Sequence, residues 1–569
     1  MSELIFIGVA WPYANGPLHL GQIAGANLPA DIFARYHRLK GDQVLMVSGT
    51  DQHGTPVTIR AEQEGKTPQQ VVDNYHSQYL DAWKRLGISY DWYTTTGTLT
   101  HRKVVQDIFL NLYEKGFLIT KVTAHPYCQE DDRFLADRYV EGTCPICNNP
   151  LARGDQCELC GKPLSPGDLI DWKCRICGKP PLMRDSEHFF LKLSSFQETL
   201  AVWLKQAEGR WRPNVYNFTQ GWLNEGLQDR AITRDINWGI PTPLPGYEDK
   251  CIYVWFEAVI GYLSASIEWA ESSGEAEAWK PFWQDPSSKG YYFLGKDNIP
   301  FHTIIWPSML IGYGDYQSKE GKGRYNLPYD VPANEFLSLE GRKLSTSQNW
   351  AVWVTDYLNN FDPDPLRYYL AANMPETSDS DFSWTGFIRR NNDELVATYG
   401  NLVHRVLTLT HRNFSGEVPK PDELNDDDKL MLQRANEALS EVDKSLNSCH
   451  FREALAKCMG LAAACNRYID LKAPWKALKG NDPSAATTLW VSISILSALK
   501  TIQFPFLPFS SSRLHDMLGF QGKIEDVGWR IQLVEPGQKL QVPIPLFTKL
   551  DDSVAEKEIE KLRIQSFKP

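Results

Sequence analysis

The sequence predicts a doubly wound, Rossmann-type parallel α/β sheet, split by a cysteine-rich zinc-knuckle insertion and followed by an α-helical bundle. Three observations predict it. The apolar run Leu4-Ile-Phe-Ile-Gly-Val-Ala10 reads as a strand buried on both faces. A loop follows it, then a helix expected from His19 to about Leu39, then a second buried run, Gln43-Val-Leu-Met-Val-Ser48. Strand, loop, helix, strand is the doubly wound pattern, which places ligands at the carboxyl ends of the strands. Paired cysteines interrupt this pattern between about residues 117 and 225, and long helical periodicity replaces it after about 390.

The remaining elements follow in order. Strand-like runs resume at Cys251-Ile-Tyr-Val-Trp255 and Tyr291-Tyr-Phe-Leu294. Leu432, Ala435, Leu439, Val442 and Leu446 recur at three- and four-residue spacing, as on a helix with one buried stripe. Phe451, Leu455, Cys458 and Ala462 continue the periodicity, and Leu489 to Ile502 gives a further apolar helix. The tail from Asp551 to Lys568 is expected to be one exposed helix. These features divide the chain at 1–116 and 226–330 for the two halves of the sheet domain. They give 117–225 for the insertion, 331–390 for a small linking domain, 391–545 for the bundle and 546–569 for the tail.

A chain of 569 residues exceeds what one core supports, and an apolar content of 42% with 23% charged residues is that of a soluble protein. The segment Met1 to Trp11 lacks the basic start of a secretion signal, and no window reaches the ~18 unbroken apolar residues of a membrane helix. A cytoplasmic location is expected. A net charge of −11 argues against non-specific coating of nucleic acid, though a local basic face is enough for binding. Seven of the 11 cysteines lie between Cys128 and Cys177, which in a large intracellular chain points to metal ligands before disulfides.

Two segments suit phosphate chemistry. Pro17-Leu-His19-Leu-Gly21-Gln22 follows a strand and opens a helix, whose free N–H groups and positive dipole end favour anions. Gly21 lets a nucleotide approach the backbone and His19 donates to phosphate oxygens. Gly341-Arg-Lys343-Leu-Ser345-Thr346-Ser347 is a small-residue loop able to close a positive charge over a triphosphate. Alone each is weak: a histidine at a helix start is most often a cap, and Gly-Arg-Lys on a turn is usually just solvated. No Gly-rich P-loop is present, so ATP is not handled that way.

The cysteine pattern is more specific. Cys144-Pro-Ile-Cys147 and Cys157-Glu-Leu-Cys160 form two C-x-x-C knuckles, and Cys174-Arg-Ile-Cys177 adds a third. Four thiolates in such pairs make a closed, structural tetrahedral zinc site, and the first two pairs are the primary ligand set. The third pair either holds a second zinc with Cys128 or another partner, or replaces one of the first two.

Taken together and in this order, His19-Leu-Gly21-Gln22 and Lys343-Leu-Ser345-Thr346-Ser347 resemble the HIGH and KMSKS motifs of class I aminoacyl-tRNA synthetases. The surrounding words resemble the methionyl family: Trp11-Pro-Tyr13-Ala-Asn-Gly, Gly49-Thr-Asp51-Gln-His53-Gly54, Tyr253-Val-Trp255-Phe-Glu-Ala258, and Gly295-Lys-Asp297 with Phe301-His302. The resemblance runs from Trp11 to about Trp475. Two positions depart from the pattern. Gln22 replaces the second histidine of the first motif, and its amide still donates. Thr346 replaces the second lysine of the other motif, so Lys343 has to supply most of the charge.

The resemblance implies roles residue by residue. His19, Gln22, Lys343 and Thr346 correspond to catalytic positions, joined by Gly21 and Ser345 in ATP binding. Trp11, Tyr13, Val254, Trp255, Ala258, Tyr262, Asn298 and His302 correspond to a methionine pocket, and Asp51 to the partner of the substrate α-ammonium. Aromatic walls suit a polarizable thioether whose sulfur accepts only weakly, though without the motifs such aromatics read as core. The insertion corresponds to one lying beside the acceptor end of tRNA. Asn401 and Arg405, one helical turn apart, and Trp475 correspond to anticodon readers, an aromatic plate with edge-reading side chains.

The implied reaction joins methionine to AMP, releasing pyrophosphate, and then to the 3′ end of tRNA, with Mg²⁺ accompanying ATP and no protein nucleophile. The partners implied are ATP, L-methionine and tRNA(Met), including the initiator, with no membrane. Because the chain stops soon after the bundle, a monomer is expected. Two rivals stand beside this reading. A leucyl, isoleucyl or valyl enzyme would carry a large editing insertion instead of a short cysteine-rich one. A non-catalytic tRNA- or zinc-binding relative would have no need of His19, Asp51 and Lys343 together.

Overall fold

The computed structural model describes residues 2–566 apart from 137–138, 155–156, 158, 161–163, 165, 315–324 and 347. Strand β1 (Leu4–Val9) lies at the centre of a parallel sheet, with β2 (Gln43–Thr50) beside it and β3 (Trp92–Thr95) beyond. The chain then leaves the sheet along β4 (Leu118–Cys128) and returns along β5 (Leu182–Leu191), an antiparallel pair in register from Leu118 opposite Leu191 to Tyr127 opposite Leu182. It re-enters with β6 (Lys289–Gly295) on the free side of β1, and β7 (Ala333–Asn334) beyond, giving the order β7-β6-β1-β2-β3. The strand order therefore reverses between β1 and β6, and a crevice opens at their carboxyl ends.

Alternation along β1 explains the layering. Ile5, Ile7 and Val9 face one core, continuous with the helical bundle, while Phe6 faces a second core shared with the insertion. Both faces are covered, as the unbroken apolar run required.

The helix after β1 lies where the sequence placed it, but it is not uniform. A single turn, Leu20–Gln22, passes through a wide π-type turn, Ile23–Asn27, before α1 (Leu28–Lys40) begins. Pro29 is one cause, because it has no N–H to give.

The expected strand Cys251–Trp255 is corrected. Only Cys251–Ile252 is extended, pairing antiparallel with Thr233–Arg234 and Ile240–Pro241 outside the parallel sheet. Arg212 precedes α2 (Pro213–Glu225), which leads toward this small sheet. After Tyr253 the chain turns into α3 (Val254–Ser273), and Phe256, Val259, Ile260 and Leu263 are buried at helical spacing. A short apolar run does not reveal its own period, and here the longer run decided.

Beyond β7, short strands Leu337–Leu339, Arg342–Lys343 and Ser380–Phe382 form a three-stranded sheet that carries the loop beginning at Leu344. Helix α4 (Pro363–Ala372) follows, and then the bundle: α5 (Asn401–Asn413), α6 (Asp426–Asn447), α7 (Phe451–Lys472) and α8 (Ser484–Gln503). In the α6 stripe Ala435, Val442 and Leu446 are buried, whereas Leu432 and Leu439 sit at its half-buried edges. Helix α8 is long and apolar enough to cross a membrane by composition, and its apolar residues lie inside the bundle.

The tail is not simply exposed. Helix α9 (Ser553–Ser566) buries Ala555 and Leu562, and its Gln565 amide donates to the Ala351 carbonyl at 2.9 Å. Lys568 lies outside the described residues.

The bundle is tied to the sheet domain by a buried guanidinium. Arg367 on α4 pairs with Asp31 on α1 at 2.6 Å. It also donates to the carbonyls of Leu86, Pro505 and Phe506 at 3.3, 2.9 and 2.8 Å.

Candidate active site and metal centres

His19 ends the extended loop after β1 and caps the first helical turn. Its Nδ1 accepts from the Gly21 N–H at 3.1 Å, while Gln22 Oε1 accepts from the His19 N–H at 2.9 Å. An accepting Nδ1 leaves the hydrogen on Nε2. Desolvation lowers the His19 pKa to about 4, so at neutral pH the ring is an uncharged donor.

Lys343, although more than 300 positions away in sequence, comes to the same place. The segment after its loop pairs with the loop before the helix, with Leu20 N–H donating to Val352 O and Val354 N–H to Leu18 O. The Trp353 ring stands edge-on to His19 at 6.4 Å. Leu344 packs over Gly21, where a β-carbon would come within 2.9 Å of Leu344 Cδ1. Lys343 is exposed; among the described residues it makes no ion pair with a carboxylate, though its charge acts on the nearby Asp297 carboxyl. Ser345 closes a tight turn with Trp350 through paired backbone bonds, and Thr346 stands exposed on that turn; Ser347 lies outside the described residues.

Asp51, 4% exposed, directly follows the last residue of β2. Its backbone pairs with the first loop, accepting from Ala14 N–H and donating to Pro12 O. Its carboxylate accepts from the His53 N–H at 3.3 Å and meets no cationic side chain among the described residues. Burial, reinforced by the Glu257 charge, holds its pKa well above the usual carboxylate range. Among the described residues, no cationic side chain offsets this carboxylate.

The aromatic residues named from the sequence meet in two runs, Tyr13 with Trp255 and Trp11 with Tyr262 and His302, and the Tyr13 backbone bridges to Asp51. Trp11 is wedged between two glycines: a β-carbon on Gly49 or Gly261 would fall 2.3 or 2.7 Å from its ring. Tyr13 accepts from the Trp255 indole N–H at 3.0 Å, and Trp255 leans on Phe301 at 4.9 Å. Val254 is buried and Ala258 half-buried on α3, one turn apart. Tyr262 and His302 bond at 2.8 Å. His302 Nδ1 donates to the Asn298 carbonyl at 2.9 Å, so its Nε2 accepts from the tyrosine hydroxyl. Burial lowers the His302 pKa to about 4, which keeps that arrangement neutral.

Sequence reasoning missed a buried polar network beside Asp51. Glu257, fully buried on α3, accepts from His53 Nδ1 at 2.7 Å and from His101 Nε2 at 3.1 Å; His101 Nδ1 meets the Ser264 hydroxyl at 2.8 Å. Burial pushes the Glu257 carboxyl up, but the two imidazoles outweigh it and hold the pKa low. A glutamate flanked by Val254, Trp255, Phe256, Ala258, Val259 and Ile260 in the first turns of an apolar helical run was the available sign.

The cysteines form two clusters, not one. Cys144, Cys147, Cys157 and Cys160 present their sulfurs within 4.8 Å of one another, with Cys147–Cys157 at 3.5 Å and Cys144–Cys160 at 3.9 Å. Tetrahedral zinc with bonds of ~2.3 Å separates its sulfurs by ~3.8 Å, so this cage fits. Cys174 and Cys177 join Cys128 and Asp131 in a second group. There Cys128–Cys177 is 3.4 Å, and Asp131 Oδ2 lies 3.0 and 3.1 Å from the sulfurs of Cys128 and Cys174. Asp131 was not foreseen, because one acid beside one cysteine carries no spacing pattern.

In the bundle, Arg405 lies over the half-buried Trp475 ring at 5.7 Å and bonds Asp470 and Asn466 at 2.8 and 3.1 Å. Asn401 is exposed one turn earlier on α5.

The profile described as tRNA synthetases class I (M) matches residues 5–407, and that of the anticodon binding domain of methionyl tRNA ligase matches 418–564. A methionine–tRNA ligase of Dehalococcoides mccartyi is 56% identical over 562 residues, 99% of this chain and 100% of that protein. One of Thermomicrobium roseum is 49% identical over 592 aligned positions, covering 100% of both chains. In fold, the chain resembles Mycobacterium tuberculosis methionyl-tRNA synthetase in complex with methionyl-adenylate, with TM-score 0.78 and 23% identity over 96% of this chain and 100% of that one. By the profile spanning residues 5–407 and by full-length relatives at 49–56% identity, the chain belongs to the methionyl-tRNA synthetase family of class I tRNA synthetases.

Proposed function

We propose that this chain activates L-methionine with ATP and transfers it to the 3′ end of its tRNA. One observation carries the reading: Gly21 and Leu344 bring the His19 and Lys343 segments together at the switch point, where the loop after β1 also pairs with a buried Asp51 that meets no cationic side chain among the described residues. Asp51 orients the α-ammonium so that the substrate carboxylate faces the α-phosphorus. His19 Nε2, Gln22, Ser345, Thr346 and the Lys343 ammonium stabilise charge developing on the phosphates as pyrophosphate leaves. Mg²⁺ arriving with ATP neutralises part of that charge. Trp11, Tyr13, Val254, Trp255, Ala258, Tyr262, Asn298 and His302 enclose the thioether, where shape selects at ~1–3 kcal/mol per methylene.

The two cysteine clusters hold one zinc each, the first by four thiolates and the second by Cys128, Asp131, Cys174 and Cys177. Both are closed and structural, stiffening an insertion that meets the acceptor end of tRNA. Asn401, Arg405 and Trp475 read the anticodon. The working divisions are 1–116 with 226–330, 117–225, 331–390, 391–545 and 546–569, in a cytoplasmic monomer. ATP–pyrophosphate exchange with each amino acid in turn, followed by charging of tRNA, tests the reading. Exchange driven by an amino acid other than methionine overturns it.

A further inference from the structure

We propose that Asn334 is a positioning residue for adenylate formation: it fixes the wide turn behind His19, and Arg212 fixes Asn334. The proposal rests on the assignment of His19 to the phosphates.

In the turn Ile23–Asn27 the Leu28 N–H reaches back five residues to the Ile23 carbonyl. The Ala24 carbonyl is then stranded. Its donor four residues on is Leu28, already engaged, and five residues on is Pro29, which has no N–H. Ala24 is buried, so water does not serve it. Asn334, at the carboxyl end of β7 and 0% exposed, donates from Nδ2 to this carbonyl at 2.8 Å. The preceding Gln22 carbonyl accepts similarly from Asn27 Nδ2 at 2.8 Å. Two asparagine amides thus replace helix donors next to the residue that caps His19 through its own side chain.

The orientation of the Asn334 amide is forced. Its Oδ1 accepts from Arg212 Nη1 at 2.6 Å; the same nitrogen donates to the Ala333 carbonyl at 2.9 Å, and Nη2 donates to the Cys449 carbonyl at 3.0 Å. A flipped amide would set donor against donor and acceptor against acceptor. Arg212 therefore joins the start of α2, the edge of the sheet and the corner between α6 and α7, and one hydrogen bond passes that constraint to the His19 turn.

The test is methionine-dependent ATP–pyrophosphate exchange on Asn334→Asp, His19→Ala and the double variant, with melting temperatures on each. Asn334→Asp keeps the shape and the Arg212 contact but aims an acceptor at the Ala24 carbonyl. Its kcat should fall ~10–100-fold, since misplacement by ~1 Å costs that much, with KM for methionine within twofold. The double variant should be no slower than His19→Ala alone, because Asn334 acts through His19. Arg212→Lys, which loses the fork but not the charge, should lower kcat in the same direction while folding normally. Full kcat in both Asn334→Asp and Arg212→Lys, with only a lower melting temperature, makes the contact merely structural and overturns the proposal; so does a double variant that is the product of the two singles. If His19→Ala itself retains full exchange, the phosphate assignment has failed instead.

Discussion

Leu344 Cδ1 lies 2.9 Å from where a β-carbon on Gly21 would stand, so the His19 and Lys343 segments meet through a missing side chain. The contact is with the end of a flexible side chain, so Gly21→Ala should displace the loop without unfolding the protein. Exchange should fall ~10-fold or more, and Leu344→Ala in the same chain should restore part of it. A Gly21→Ala enzyme with undiminished exchange would show that the two segments need not touch during the reaction.

Lys343→Ala should slow adenylate formation by ~100-fold or more, the scale of losing one preorganised donor to a developing charge. Thr346→Ala should cost less, since a hydroxyl offers a hydrogen bond and no charge. Single-turnover rates of adenylate formation rank the two; a larger loss from Thr346→Ala reverses the assignment of the charged role.

Methionine binding should release a proton. Burial and the Glu257 charge raise the Asp51 pKa in the free site, and the substrate ammonium lowers it again. Affinity therefore weakens as pH falls, through the range between the bound and the free pKa. Calorimetry in buffers of different ionisation enthalpy reads the proton directly. Binding with no proton exchange across that range would mean that Asp51 is already ionised without substrate.

Elemental analysis should find two zinc ions per chain, and Asp131→Ala should reduce the count toward one while leaving the site of Cys144, Cys147, Cys157 and Cys160 filled. Melting of the insertion should drop, whereas methionine-dependent exchange should change little. A count of one in the unaltered protein refutes the second site.

Trp475→Ala should divide the two half-reactions. Exchange should survive, while kcat/KM for charging falls by the equivalent of ~1–3 kcal/mol, the value of stacking one base. Trp475 is half-buried, with the Arg405 guanidinium over its ring, so the competing outcome is a loss of stability of several kcal/mol. Melting, exchange and charging on one variant separate the two, and intact charging removes Trp475 from the anticodon surface.

The legible features were those that depend on local pattern. The unbroken run at Leu4 gave a buried strand, and the three-four spacing of Ala435, Val442 and Leu446 gave a buried helix face. The paired cysteines gave their cage. What stayed hidden depends on distant partners. Whether Val254 and Trp255 were strand or helix turned on a run longer than the five residues first considered. Glu257 became a site residue only when His53 and His101 converged on it, and Asp131 only when Cys174 arrived from 43 positions away. The pocket residues were assigned by resemblance alone, because aromatics in a crevice and aromatics in a core look alike along a chain.

Arg367 has a consequence for how the protein comes apart. The family profiles divide the chain between 407 and 418, yet the Arg367 guanidinium, on the catalytic side of that line, is satisfied partly by the carbonyls of Pro505 and Phe506 on the other. Cutting the chain at the boundary would leave a buried cation short of two acceptors, a penalty of ~3–5 kcal/mol when such a network is broken. The boundary between the sequence families is therefore not a mechanical joint. The bundle is not a detachable reader clipped to an independent engine, and heat or denaturant should melt the two together.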